Sequence, residues 1–300
     1  MTPTLIVIVG PTAIGKTSLS VFIAKELNTS IISADSRQFF KEMSIGTAKP
    51  NAKELKTVTH HFINSHSITE DYNVGKYEVG AIALMGKLFL TNNNLILVGG
   101  SGLYIDAICK GFDELPEADM KVRNEINSLL TSKGIAALQE LLQKLDPVYY
   151  NKVDLQNPQR LSRALEVCLT TGKAYSTLRE GKNKKRNFNI IKIGLNTARE
   201  KLYDRINLRV DEMMLNGLLA ETKQLQIYKH LNALQTVGYK ELFDYFEGKT
   251  TLESAVELIK QNTRKFAKRQ LTWFKKDPEI KWFDPIDREE IVDYIKKKLQ

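Results

Sequence analysis

The sequence predicts an α/β fold: a doubly wound parallel sheet with an inserted all-helical domain and a helical C-terminal region. Three observations predict it. Five short apolar runs are spaced along the chain, the first four alternate with helical patterns, and the stretch 113–188 keeps only helical periodicity. Parallel strands covered on both faces read as short unbroken apolar runs, as these do.

The first run is Leu5-Ile6-Val7-Ile8-Val9. Gly10-Pro11-Thr12-Ala13-Ile14-Gly15-Lys16-Thr17 follows it, and then Leu19, Phe22, Ile23 and Leu27 recur at helical spacing. Strand, glycine loop and helix match the phosphate-binding pattern G-x-x-x-x-G-K-[ST] in its required setting, so the sheet is expected to be P-loop NTPase-like. In that geometry backbone N–H groups and the positive end of the helix dipole converge on an anion. Lys16 adds a charge and the Thr17 hydroxyl can hold Mg2+. The ligand expected is a di- or triphosphate. The loop alone leaves open whether that compound is hydrolysed, donates a phosphoryl group or is used otherwise.

The second run, Ser30–Ala34, ends at Asp35-Ser36-Arg37-Gln38. Ligands of a doubly wound sheet gather at the carboxyl ends of its strands. Asp35 there is a candidate general base or an outer-shell partner of Mg2+, against the alternative of an Asx turn capping the next helix. A third run, His61–Asn64, precedes a helix whose apolar face is Tyr77, Ala81, Leu84, Met85 and Leu88. The fourth, Leu95–Val98, ends in Val98-Gly99-Gly100-Ser101-Gly102-Leu103-Tyr104, where three glycines are expected to let a ligand approach and the Ser101 hydroxyl to face the same rim. His60, His61 and His66 lack the spacing of a helical metal pair and receive no ligand role.

Between 113 and 188 three helices are expected. One starts after Asp119 and uses Val122, Ile126, Leu129 and Leu130; the next uses Ala137, Leu138, Leu141 and Leu142 and stops at Asp146-Pro147. The third has Asn157 as N-cap, Pro158 in its first turn, a face of Leu161, Ala164, Leu165, Cys168 and Leu169, and Gly172 at its end. The polar exit 181–187 reads as a mobile surface loop. Residues 1–112 are thus the first part of a P-loop core, 113–188 a helical insertion, and 189–300 a return to the core. That return consists of a last strand at Ile190–Leu195 and helices, the first opened by a capping-box spacing of Thr197 and Glu200. Near the C-terminus Arg264, Lys268 and Lys275 line up beside Lys265, Arg269 and Lys276, with Ile259, Phe266, Ala267, Leu271 and Phe274 facing inward. Such a cationic ridge suits a phosphate backbone, and a solvated basic face is the alternative.

Composition bounds the class. Lys+Arg 44 against Asp+Glu 35 gives +9 over 300 residues, a surplus that fits a polyanionic partner. No apolar run reaches membrane-spanning length and no signal sequence precedes the first strand, so a cytoplasmic protein with no membrane partner is expected. Cys109 and Cys168 read as core hydrophobes.

Taken in order, GPTAIGKT at 10–17, ISADSRQ at 32–38, IGTAKP at 45–50, VGGSGLY at 98–104, NPQRLSRALEV at 157–167, VGYKEL at 237–242 and KRQLTWF at 268–274 resemble the tRNA dimethylallyltransferase (isopentenyl-tRNA transferase) family over nearly the whole chain. The resemblance implies a monomer that uses Mg2+. It would transfer a dimethylallyl group from dimethylallyl diphosphate to N6 of the adenosine at position 37, next to the anticodon, in tRNAs reading codons that begin with U. On that likeness Gly10 to Thr17 bind diphosphate, with Thr17 on Mg2+, and Asp35, Ser101, Arg123 and Thr17 are catalytic. In the same way Asp35, Ser36, Arg37, Gln38, Ser101, Arg123, Gln159, Arg160, Leu161, Ser162, Arg163, Gln235, Thr236, Val237, Gly238, Tyr239, Lys240, Lys268, Arg269, Gln270, Leu271, Thr272, Trp273, Phe274 and Lys275 look like contacts to the tRNA anticodon stem-loop. Ser101 stands where the family often has threonine. A P-loop small-molecule or nucleoside kinase is the second reading; it accounts for the chain up to residue 112 but leaves the basic C-terminal helix unexplained. A nucleic-acid-stimulated NTPase is a third; no strand ends in the apolar-run-plus-acid pair that usually positions hydrolytic water and metal, which counts modestly against it.

Overall fold

The computed structural model describes residues 2–113, 115–117, 119–179, 181 and 183–300. Six strands form one sheet: β1 (Thr4–Val9), β2 (Ile31–Ser33), β3 (His60–His61), β4 (Asn94–Gly99), β5 (Asn189–Leu195) and β6 (Lys281–Phe283). Their order is β3-β2-β4-β1-β5-β6, and every neighbouring pair is parallel. The period-two alternation of β1 explains its unbroken apolar run. Leu5, Val7 and Val9 enter one core with Ile32, Phe39, Tyr77 and Leu97, while Ile6 and Ile8 enter the other with Leu19, Ile23, Ile193 and Ile206.

Two strands depart from the sequence reading. β3 stops after two residues because Phe62 (φ 61°) and Asn64 (φ 52°) enter the left-handed region, which ends extended pairing. β6 lies where only helix was expected. It has three residues on the edge beside β5, too few to show a period.

The chain forms two compact units, residues 1–109 with 185–300, and residues 110–184. In the first, the helix Lys16–Glu26 follows the glycine loop, and Val74–Leu88 is opened by Asn73, whose side chain accepts the N–H groups of Gly75 and Lys76. Gly102–Cys109 follows β4, Arg199–Leu215 follows β5, and Leu252–Phe274 precedes β6. The expected capping box at Thr197 does not form. Ala198 is the N-cap, and the Thr197 hydroxyl donates instead to Asp284 at 2.9 Å. Arg186, expected in a solvated loop, is tied down: its guanidinium donates to the carbonyls of Ala107 and Ile108 and to Glu78 at 2.8 Å. Lys182, part of the same expectation, lies outside the described residues.

The second unit is helical among its described residues. Met120–Leu145 opens on Asp119 and is broken at Gly134 (φ 75°, ψ −175°), which yields the two helices expected there. Asp146 is fully buried and accepts from Tyr149 N, Ser176 N and the Ser176 hydroxyl, so its charge is satisfied locally. Pro158–Thr171 has Asn157 accepting from Arg160 N and a left-handed Gly172 (φ 66°). Its inner face differs from the expected one: Leu169 is 42% exposed, while Glu166 and Val167 are buried. Cys109 and Cys168 are buried free thiols. Among the described residues no helix is long and apolar enough to cross a membrane.

Candidate active site

The glycine loop opens at the carboxyl end of β1. A Cβ on Gly10 (φ 148°) would stand 2.7 Å from the Leu195 carbonyl oxygen, and Gly15 sits at φ 105°, so both positions require glycine. Lys16 folds back over the loop and donates to the carbonyls of Gly10 (3.0 Å) and Pro11 (2.7 Å). Burial pushes its ammonium down to about 7, and the like charge of Arg209 adds to this, partly opposed by Asp35. Arg209 donates to the Thr12 hydroxyl at 3.4 Å, and an Arg205 nitrogen lies 3.3 Å from where a Gly15 Cβ would be. The sequence reading missed these two arginines. Their signal was present: two cations four residues apart, hence on one face, on the helix that leaves β5. Three cations crowd one loop and call for an anion.

The Thr17 hydroxyl hydrogen-bonds to nothing among the described residues, and no group of three or more His, Cys, Asp or Glu there could hold a metal. A hydroxyl at a phosphate loop fits Mg2+ and would be one of its ligands.

Asp35 follows β2. Its Oδ1 accepts the N–H groups of Arg37 (2.9 Å) and Gln38 (3.4 Å), so the Asx turn forms, while Oδ2 makes no hydrogen bond among the described residues. The turn therefore orients a carboxylate that keeps one oxygen for chemistry. Ser101 Oγ accepts Ser36 N at 3.0 Å and donates to the Ser36 hydroxyl at 3.2 Å, which ties the end of β4 to the end of β2.

The glycines around Ser101 serve packing, contrary to the expected approach of a ligand. A Cβ on Gly99 would stand 2.3 Å from the Ala34 carbonyl, one on Gly100 2.3 Å from Gln270 Nε2, and one on Gly102 2.4 Å from the Trp273 indole. The Gly99 clash is with backbone and cannot relax by a rotamer change. Gly99→Ala is expected to destabilise the protein by about 1–3 kcal/mol, read as a lower urea midpoint; an unchanged midpoint contradicts this packing.

On the helix Leu252–Phe274, Lys268, Arg269, Thr272 and Trp273 are exposed, as is Lys275 just beyond it. Trp273 Nε1 donates to Asp106 at 2.9 Å. Arg264, expected in the ridge, instead donates to Asn207 at 2.6 Å and lies over Tyr203. Phe266, expected inside, is 38% exposed with the Arg269 guanidinium over its ring.

Four residues grouped with the RNA contacts have buried side chains: Leu161, Tyr239, Gln270 and Phe274. They build the supports of their exposed neighbours, since a side chain packed in the core has no surface to offer RNA. Leu271 is half-buried against the core as well. Tyr239 donates to Glu221 at 2.7 Å and lies flush against Gly46, and Glu221 also accepts the N–H groups of Ser44, Ile45 and Gly46. Gly238 (φ 99°) donates to Glu241 at 2.8 Å, Thr236 and Val237 are half-buried, and Gln235 and Lys240 are exposed. In the helical unit Gln159 and Arg160 are exposed and Ser162 half-buried. There Arg123 Nε donates to buried Glu166 at 2.8 Å, and Arg163 reaches the same carboxylate at 3.2 Å.

The chain matches the IPP transferase family model over residues 38–277. It is 55% identical to the tRNA dimethylallyltransferase of Christiangramia forsetii over 98% of each chain, and 55% identical to that of Flavobacterium johnsoniae over 99% of this chain and 98% of the other. Among solved structures it is similar to the tRNA isopentenylpyrophosphate transferase of Bacillus halodurans, with a TM-score of 0.73, 38% identity, and 99% of this chain and 96% of that one covered. A eukaryotic dimethylallyltransferase captured acting on tRNA matches with a TM-score of 0.79 and 28% identity over 94% of this chain and 74% of its own.

Proposed function

The chain belongs to the IPP transferase family, and from that premise we propose that it transfers a dimethylallyl group from dimethylallyl diphosphate to N6 of the adenosine beside the anticodon of tRNA, acting as a cytoplasmic monomer with Mg2+. The supporting observation is one rim that carries a diphosphate loop on β1 and a half-free carboxylate, Asp35, after β2, in a chain 55% identical to enzymes of that name.

An adenine amino group is a weak nucleophile because its lone pair is delocalised into the ring. Asp35 takes the N6 proton as the C–N bond forms, and the donor's C–O bond breaks to release diphosphate. Lys16, Arg205, Arg209 and the loop amides meet the negative charge that develops on the leaving group. The Thr17 hydroxyl would hold Mg2+, which would supply further positive charge there. Ser101, locked to Ser36, stands beside the reacting centre. The target base cannot be reached inside a stacked loop and must flip out. Exposed Lys268, Arg269 and Lys275, with Gln159 and Arg160 on the helical unit, hold RNA.

The test mixes the protein with Mg2+, dimethylallyl diphosphate and unmodified tRNA and looks for a mass gain on one adenosine. ADP formed from ATP with no prenylated nucleoside returns the kinase reading. Lys268→Ala with Arg269→Ala is expected to weaken tRNA binding and to lower the salt slope of log K by about 1 per cation removed. An unchanged slope makes this face solvated surface.

A further inference from the structure

Gln270 is a buried amide with both ends engaged across the site. Its side chain is on the inner face of the helix Leu252–Phe274 and is 7% exposed. Oε1 accepts the Thr12 N–H of the glycine loop at 2.8 Å, and Nε2 donates to the Gly100 carbonyl at 2.9 Å. The fit is tight, since a Cβ on Gly100 would stand 2.3 Å from Nε2. One planar amide thus spans the loop after β1 and Gly100, the residue that follows β4.

The loop needs such a support. Ala13, the residue after Thr12, sits at φ 63°, a left-handed conformation that an alanine holds only when its surroundings enforce it. The Thr12 N–H bonded to Gln270 and the Thr12 hydroxyl bonded to Arg209 fix the residue on its N-terminal side. The opposite face of the same helix turn carries exposed Lys268 and Arg269.

We propose that Gln270 is a positioning residue for the transfer, setting the loop that holds diphosphate at a fixed distance from the Gly100–Ser101 rim. This rests on the reading of the loop as a diphosphate site. Only a side chain that accepts at one end and donates at the other satisfies both partners. Gln270→Met keeps the volume and loses both bonds. Gln270→Glu keeps the acceptor for Thr12 but sets a second oxygen against the Gly100 carbonyl unless the carboxyl is protonated.

The experiment measures the affinity of the full chain for inorganic diphosphate with Mg2+ by calorimetry, alongside thermal melting and steady-state transfer. Gln270→Met is expected to bind diphosphate about tenfold more weakly and to lose at least about tenfold in kcat, with KM for tRNA within about twofold. The deficit of Gln270→Glu relative to wild type is expected to shrink as pH falls from about 8 to about 5.5, because protonation restores the donor. Simple loosening of the core would give no such recovery. Should Gln270→Met fail to fold, the glutamate variant still decides. Diphosphate affinity within twofold of wild type at pH about 8 in either folded variant, or a glutamate deficit that does not change with pH, overturns the proposal. Failure of the wild type to bind inorganic diphosphate removes the reading of the loop itself.

Discussion

Asp35→Asn is expected to lower kcat for prenyl transfer by about 10²–10⁴-fold while leaving tRNA affinity close to wild type. The choice of asparagine follows from the geometry. Oδ1 of Asp35 accepts the Arg37 and Gln38 N–H groups, and an asparagine oxygen can accept the same bonds, so the turn after β2 survives. What disappears is the carboxylate that can take a proton. Single-turnover rates with tRNA in excess isolate the chemical step, and a filter-binding Kd for tRNA reports the other role. A parallel loss of tRNA affinity and rate would make Asp35 an anchor for RNA.

Lys16→Met is expected to cost about 10²–10³-fold in kcat, because it removes a cation from the loop proposed to hold the leaving diphosphate. The lysine also predicts a pH dependence. Its ammonium is held down to about 7, first by burial and then by Arg209, against 10.5 for a free lysine. The unfolded chain therefore binds more protons than the native one between these values, and this residue makes stability of the ligand-free protein rise with pH from about 7 to about 10.5. Diphosphate acts in the opposite sense. A bound anion favours the charged ammonium, so binding near pH 8 takes up a proton and weakens as pH rises above about 7. Calorimetry in two buffers of different ionisation enthalpy measures that proton. Equal apparent heats in the two buffers, or the same uptake in Lys16→Met, would assign it elsewhere.

Much of the site was legible because it is local in sequence. A glycine loop between a buried strand and a helix is a contiguous signal, and Asp35 and Ser101 follow apolar runs at the carboxyl ends of parallel strands, where ligands collect. Other roles depended on which distant residue fills a space. The glycines beside Ser101 resembled a ligand cradle, yet Ala34, Gln270 and Trp273 occupy the room they leave. The VGYKEL stretch resembled an RNA contact, yet its tyrosine is buried against Gly46 and Glu221.

By itself, the sequence determined the parallel α/β core, the helical insertion, the glycine loop between β1 and its helix, and the rim that carries Asp35. Each of these rests on periodicity, capping or spacing within about 30 residues, the span of one βαβ unit. Tertiary structure alone decided that Arg205 and Arg209 reach the loop, that Arg264 turns away from the ridge, and that Gln270 joins Thr12 to Gly100. These depend on the rotation of a helix about its axis and on contacts between residues as many as 258 positions apart. The helical period places side chains relative to one another on their own helix, and only packing against the sheet fixes which of them face inward.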